Sequence, residues 1–374
     1  MNAVTFLKNP LLSLPKSRNS GDFIVYMRQL FKEYKKLIDE VEGEDPLSKQ
    51  IISERDSSKV LCDEILKALD NYQAGRPADA YGVIQKALVT VKPILTSFLP
   101  TDTPDKSDTR FEYLYRIRTS KEPSERFSRD QFFHIPFELR HKVAAQRFSI
   151  PGLPCLYLGG SIYVCWEEMG RPDFTRVHMT RFRAADCANL RILNIGYRPQ
   201  FWVGWHAKNS TLLSDEQIQK KIGDHVLLWP LIVSCHIKVL HCDGAFKPEY
   251  VIPQILLQWV GETQDFDGIS YTSTHIDDTY DQPIAQMNLV FPAKSSQSKG
   301  HCKGLIKQFE LCDPLSWQLA GAIPVSQFQG QSLKNTQFTF MHVLDKQIEY
   351  HNTEFCMMEY RLCGLPCSKL PPNP

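Results

Sequence analysis

LPCLYLGGSIYVCWEEMG, from Leu153 to Gly170, is the stretch on which the reading of the fold turns. Leu153 to Gly160 is a short apolar run ending in two glycines, the form of a strand that closes in a turn. Ser161 stands at a helix N-cap, where its hydroxyl can accept from backbone N–H groups that a first turn leaves unpaired. Gly170 stands where a left-handed residue ends a helix. The expected unit is a strand feeding a short helix that carries Glu167 and Glu168.

Further short strands are expected around it. FEYLYRIR (111–118) is aromatic and alternating, and TRFRA (180–184), LRILNIG (190–196), GISYTST (268–274) and MNLVFP (287–292) read likewise. HVLLWPLIVSCHIKVL (225–240) is strongly apolar, and its uncharged part, His225 to Ile237, reads as a buried strand. Tyr250 to Val260 reads as a helix after Pro253. Strands and helices do not alternate regularly, which indicates α+β rather than a doubly wound sheet.

Upstream the texture is helical. Residues 1–21 read as an irregular arm. From Asp22, a plausible N-cap, apolar Ile24, Met27, Leu30, Phe31, Tyr34, Leu37 and Ile38 recur at helical spacing. A second helix fits 59–75, and a third fits 77–99 with a break near Pro93. The polar stretch Pro100 to Thr109 reads as a linker. The expected organisation is a helical N-terminal domain (1–105), a catalytic domain (106–295) and a C-terminal extension of it (296–374).

The 374 residues carry 43 Lys and Arg against 42 Asp and Glu, which argues against a chain-wide basic surface. The longest uncharged run is too short for a bilayer span of roughly 20 residues, so a soluble, cytoplasmic protein without a membrane partner is expected. The 11 cysteines are odd in number and contain no CxxC. They read as free thiols rather than a disulfide framework. His351, Cys356, Cys363 and Cys367 are the best metal candidates, but their spacing fits no standard zinc pattern.

No phosphate loop, dinucleotide fingerprint, HExxH or GxSxG is present. What remains is a dispersed set: Arg116 and Arg118, Arg147, Tyr157, Glu167 and Glu168, Ser270 and Ser273. Each has a structural reading as a solvated or packed side chain. Arg171, Arg176, Arg181 and Arg183, with Phe174 and Phe182 interleaved, could suggest nucleic acid. The near-neutral charge favours a solvated strand face instead, and nucleic-acid binding is not expected.

In their order along the chain, LYRIR, AAQRFSIPGLPCLYLGGSIYVCWEEMG, DFDGISYTST and NLVFP resemble the RES-domain family, over roughly residues 111–295. Typical members are toxins of bacterial toxin–antitoxin pairs. Arg116 matches the family's first arginine. Arg147-Phe148-Ser149 matches its GRW-like segment, with Phe for Trp and no preceding glycine pair. Tyr157 matches the strand tyrosine, Glu168 the glutamate with Glu167 as competitor, and Ser273 the late serine with Ser270 as competitor. The resemblance implies an ADP-ribosyltransferase-like fold with a mixed sheet, and cleavage of NAD at the nicotinamide–ribose bond by hydrolysis or phosphorolysis. NAD is then the substrate, with no further cofactor and no metal.

Those residue types suit that chemistry. Glycosidic cleavage develops positive charge on the ribose, which a carboxylate such as Glu168 stabilises. Arginine forks suit a pyrophosphate, and Arg116 and Arg147 are the candidates, with a structural role for one of them as the alternative. The Tyr157 face suits the nicotinamide cation, and the Ser273 hydroxyl can fix its carboxamide or orient the glutamate. The expected role is a growth-arrest or defence toxin, controlled by an inhibitory or activating protein partner through the N-terminal helices. The alternatives are ADP-ribosyl transfer to a protein or nucleic acid, and a non-catalytic RES-fold binding protein.

Overall fold

The computed structural model describes residues 1–97, 113–122, 124–185, 189–196, 215–276, 287–324, 340–343 and 346–371. The expected linker lies outside these residues. The helices are α1 (Ala3–Leu7), α2 (Phe23–Asp39), α3 (Pro46–Gln73), α4 (Pro77–Ser97), α5 (Arg129–Phe132), α6 (Ile162–Glu168), α7 (Asp215–Cys235), α8 (Val251–Glu262), α9 (Lys303–Gln308), α10 (Trp317–Ala322) and α11 (Glu354–Cys363). The strands are β1 (Leu114–Thr119), β2 (Cys155–Gly159), β3 (Val177–Ala184), β4 (Ile192–Asn194), β5 (Gly268–Thr272), β6 (Met287–Pro292), β7 (Phe309–Leu311), β8 (Leu315–Ser316), β9 (Phe340–Val343) and β10 (Lys346–Glu349).

The protein is α+β: a helical N-terminal region, then a mixed sheet with helices. The sheet order is β4-β5-β6-β2-β1-β3-β7, with β8 also on β3 and β9-β10 a separate hairpin. β4 and β5 run parallel and the other pairings are antiparallel. The C-terminal residues thus supply β7 and β8 to the same sheet as β1 to β6.

Asp22 caps α2 through its Oδ1, which accepts from Ile24 and Val25 at 2.8 and 3.0 Å. The second helix begins earlier than its apolar pattern suggests, at Pro46. Asp45 caps it, and Pro46 opens it at a position where a missing N–H costs nothing. Pro93 does not break α4, which runs through it to Ser97. The arm is not wholly irregular either, since Asn2 and Asn9 cap a short helix and a 3-10 turn.

The clearest correction concerns His225 to Cys235, which is helix rather than strand. A run apolar on every side carries no period, so it reads the same as a buried strand or a buried helix. From Ile222 to Cys235 the helix is enclosed on all sides: α3 packs along it, and Tyr34 stacks on Trp229 at 4.2 Å. Pro230 is tolerated inside it, and Ser234 Oγ donates to the Pro230 carbonyl at 2.6 Å.

One face of the sheet is covered by two separate helical layers. Over β4, β5 and β6, Leu193, Ile269, Tyr271 and Val290 share a core with α7, α8 and the N-terminal helices. Over β1 and β3, Tyr115, Ile117, Val177 and Met179 pack against α6 and α11. The opposite face packs Leu114, Leu156, Leu158, Leu289 and Phe291 against Phe132, Phe133 and Leu305. The seam between the two layers falls over β2 and β6.

Candidate active site

The seam holds Tyr157 and Gly159 of β2 and Asn288 of β6. The register puts Tyr157 opposite Val290 and Gly159 opposite Asn288, so all four share one face. Gly159 is required by the strand-to-helix turn. A Cβ there would lie 2.6 Å from Cys165 Sγ and 3.1 Å from the Ser161 carbonyl. Ser161 Oγ then accepts from Val164 N–H at 3.1 Å and starts α6, as expected, and Gly170 follows its end with φ +75°.

The two glutamates at the end of α6 diverge. Glu167 is buried and pairs with Arg171 at 2.9 Å, away from the seam. Glu168 turns toward β6, where Asn288 Nδ2 donates to its Oε1 at 2.8 Å. Its other oxygen lies 3.9 Å from His275 Nε2, and its side chain keeps 30 % of its exposure.

Arg147 enters from a turn in which Gln146 bridges to Ser149. Gln254 of α8 clamps that turn by donating to the Gln146 and Ser149 carbonyls at 3.0 and 3.1 Å. Tyr157 Oη donates to the Phe148 carbonyl at 2.8 Å, and the Phe148 ring lies on Tyr271 at 4.3 Å. Arg147 itself donates to the Cys235 carbonyl at 3.2 Å and to Thr274 Oγ1 at 3.1 Å. It also lies over the Tyr250 ring at 5.3 Å.

These groups share one electrostatic environment. Burial pushes the Tyr271 phenol well up, and the Glu168 charge adds to it. Burial also raises Tyr250, with Arg147 pulling down and Glu168 pushing up. Tyr157 is likewise raised by burial. All three phenols are therefore neutral at physiological pH, and two of them, Tyr250 and Tyr271, feel both the Glu168 carboxylate and the Arg147 guanidinium.

Ser273 is buried and its Oγ accepts from His275 N–H at 3.1 Å. It shapes the turn that presents Thr274 to Arg147 and His275 to Glu168. Ser270 is buried on the opposite face, paired with Leu289, and its Oγ has no partner among the described residues. Strand alternation sets Arg116 with Leu114 and Arg118, on the side of Phe127 and Phe132. Burial lowers it to about 10, with Arg118 adding repulsion, and its Nη1 has no partner among the described residues. Its charge still reaches the Tyr157 phenol. The structure thus gathers Arg147, Tyr157 and Glu168, with Ser273 supporting them, and leaves Arg116 on the other face.

Tyr250, Tyr271, Asn288 and His275 join this group without having been singled out from the sequence. Asn288 had a signal: it is the one polar side chain in MNLVFP. Tyr250 had none, because its place depends on the path between α7 and α8.

The proposed metal ligands do not converge. His351 lies 3.2 Å from Glu349, and Cys363 Sγ lies 3.8 Å from Tyr115 Oη. Cys367 faces Cys312, and that contact lowers the Cys312 thiol. Among the described residues no three His, Cys, Asp or Glu side chains are grouped to hold a metal. The arginines read as a possible nucleic-acid stripe are engaged: Arg171 with Glu167, Arg183 with Glu310 at 2.6 Å, and Arg176 with the Ser120 carbonyl. Among the described residues, no helix is long and apolar enough to cross a membrane.

The chain is 30% identical over 357 residues to a protein of Bacillus subtilis (strain 168) named "Putative toxin YopC", covering 92% of this chain and 77% of the relative. The chain belongs to the family of that protein. No protein-family profile and no solved structure matches it.

Proposed function

We propose that the protein is a RES-type toxin with an ADP-ribosyltransferase-like fold that breaks the nicotinamide–ribose bond of NAD. The observation that carries this reading is the Glu168 carboxylate, oriented by Asn288 and surrounded by Tyr250, Tyr271 and Arg147. The name of the Bacillus relative supports the toxin role.

In this reading the C1′–N bond breaks with its electron pair passing to the nicotinamide ring, which leaves neutral. Positive charge develops on the ribose, and Glu168 stabilises it. A water or phosphate oxygen then bonds to C1′, with water giving up one proton. Arg147 holds the pyrophosphate with the N–H groups not engaged by Cys235 and Thr274. Tyr157, its hydroxyl held by the Phe148 carbonyl, offers a π face to the nicotinamide. Arg116 acts from the far face, as a buried charge behind Tyr157 rather than as a direct ligand. Activity that depletes NAD calls for control, and a protein partner on the N-terminal helices would supply it through the core they share with α7 and α8.

The test is product analysis with NAD labelled in the ADP-ribose half. Free ADP-ribose, or its 1″-phosphate when phosphate is present, supports cleavage. Label on a macromolecule would redirect the reading to ADP-ribosyl transfer. Unchanged NAD would reject it.

A further inference from the structure

Glu359 is a buried carboxylate that the chemistry above does not use. It lies on α11, in the C-terminal part of the chain, and is 4 % exposed. Its Oε1 accepts from Ile162 N–H at 2.7 Å and from Tyr350 Oη at 2.7 Å. Ile162 opens α6, and Glu168 closes it. The seven-residue helix spans about 10 Å, so a hold on one end fixes the direction of the other.

We propose that Glu359 is a positioning residue for the active site: it anchors the first turn of α6 and thereby sets where the Glu168 carboxylate lies. The proposal rests on Glu168 being the reacting carboxylate.

The setting is otherwise hostile to a charge. Tyr115 faces Glu359 from β1, Cys165 from α6, Tyr350 from the turn before α11, and Cys356 and Cys363 from α11 itself. Among the described residues no lysine or arginine pairs with it. Burial pushes its carboxyl up to about 7. A glutamine could accept the same two bonds without that burden, so an ionisable group here points to use of the charge-assisted bond. When ionised, Glu359 holds Ile162 more firmly. When protonated, it resembles glutamine.

The experiment measures nicotinamide release from pH 6 to 8.5 for wild type, E359Q and E359A, with amide hydrogen exchange of residues 162–168 in the same proteins. E359A should lower kcat by about ten- to a hundredfold, as misplaced catalytic groups do, leave KM largely unchanged and speed exchange in α6. E359Q should match wild type at pH 6 and fall below it at pH 8, losing the rise in kcat near neutrality. A pH profile and α6 exchange in E359Q indistinguishable from wild type would overturn the proposal. E359Q decides the question if E359A does not fold. If wild type releases no nicotinamide, the proposed function fails on its own, and the exchange comparison still decides Glu359.

Discussion

Asn288 Nδ2 donates to Glu168 Oε1 at 2.8 Å, linking a central strand to the end of a helix from a different layer. This bond selects Glu168 over its neighbour Glu167, whose carboxylate is taken up by Arg171. A hydrogen bond to a charged group contributes about 1.5–3 kcal/mol, so N288A should lower kcat for NAD cleavage roughly tenfold or more. N288D should do worse, because two carboxylates at that separation cannot both ionise freely. Initial-rate measurements on folded variants check the order. Equal rates for wild type and N288D would remove this contact from the mechanism.

Arg147 is fixed by two acceptors, the Cys235 carbonyl and Thr274 Oγ1, and by the Tyr250 ring. A lysine cannot satisfy both acceptors and still present a fork to a pyrophosphate. R147K should raise the KM for NAD about tenfold with a smaller effect on kcat. A KM unchanged from wild type would count against substrate binding by this residue.

Arg18 and Glu249 form a buried ion pair at 2.8 Å that ties the N-terminal arm to the turn before α8. Nearby, Lys16 and Lys238 exchange backbone bonds with the segment 236–238 and the arm. Breaking such a pair on one side strands a charge and costs about 3–5 kcal/mol. R18A and E249A should each lose that much in urea unfolding, whereas the apolar double variant R18M/E249L should lose far less. Equal losses in single and double variants would mean that packing, not charge, holds the arm.

His134 and Glu359 tilt stability in opposite directions with pH. Burial lowers His134 to about 4; its Nε2 accepts from Cys302 N–H at 2.7 Å. Its folded value lies below the unfolded one, so it stabilises above pH ~6.5, and that stability is lost as pH falls toward 4. Glu359 is raised, so the folded state holds its proton longer, and stability falls as pH rises from ~4.5 to about 7. E359Q should therefore be more stable than wild type at pH 8, by about 3 kcal/mol for a shift of this size. The two proteins should converge near pH 4.5. Thermal or urea unfolding across this range checks both the sign and the window.

Much of the fold was legible where apolar residues recur with a period. Ile24 through Ile38 announced α2, and Leu153 through Gly170 announced the strand, the cap and the helix that carries Glu168. The run 225–235 was not legible, because a helix buried on every side shows no amphipathic pattern. In the site, Arg147, Tyr157 and Glu168 could be named from their order in the chain, and Arg147 and Glu168 act on the same Tyr250 and Tyr271 phenols. Arg116 could be named but not oriented, since a single strand does not reveal which face its neighbours will cover. Tyr250 and Asn288 were hidden because their proximity is created by the seam between two helical layers. Residues far apart in sequence meet only there.

The most direct test of the central claim is nicotinamide release from NAD by purified wild type and E168Q, assayed side by side with and without phosphate. Wild type should release nicotinamide, and E168Q should lose about a hundredfold or more, the scale expected when a group that stabilises developing charge is removed, with the fold intact. Release by E168Q at the wild-type rate would contradict it.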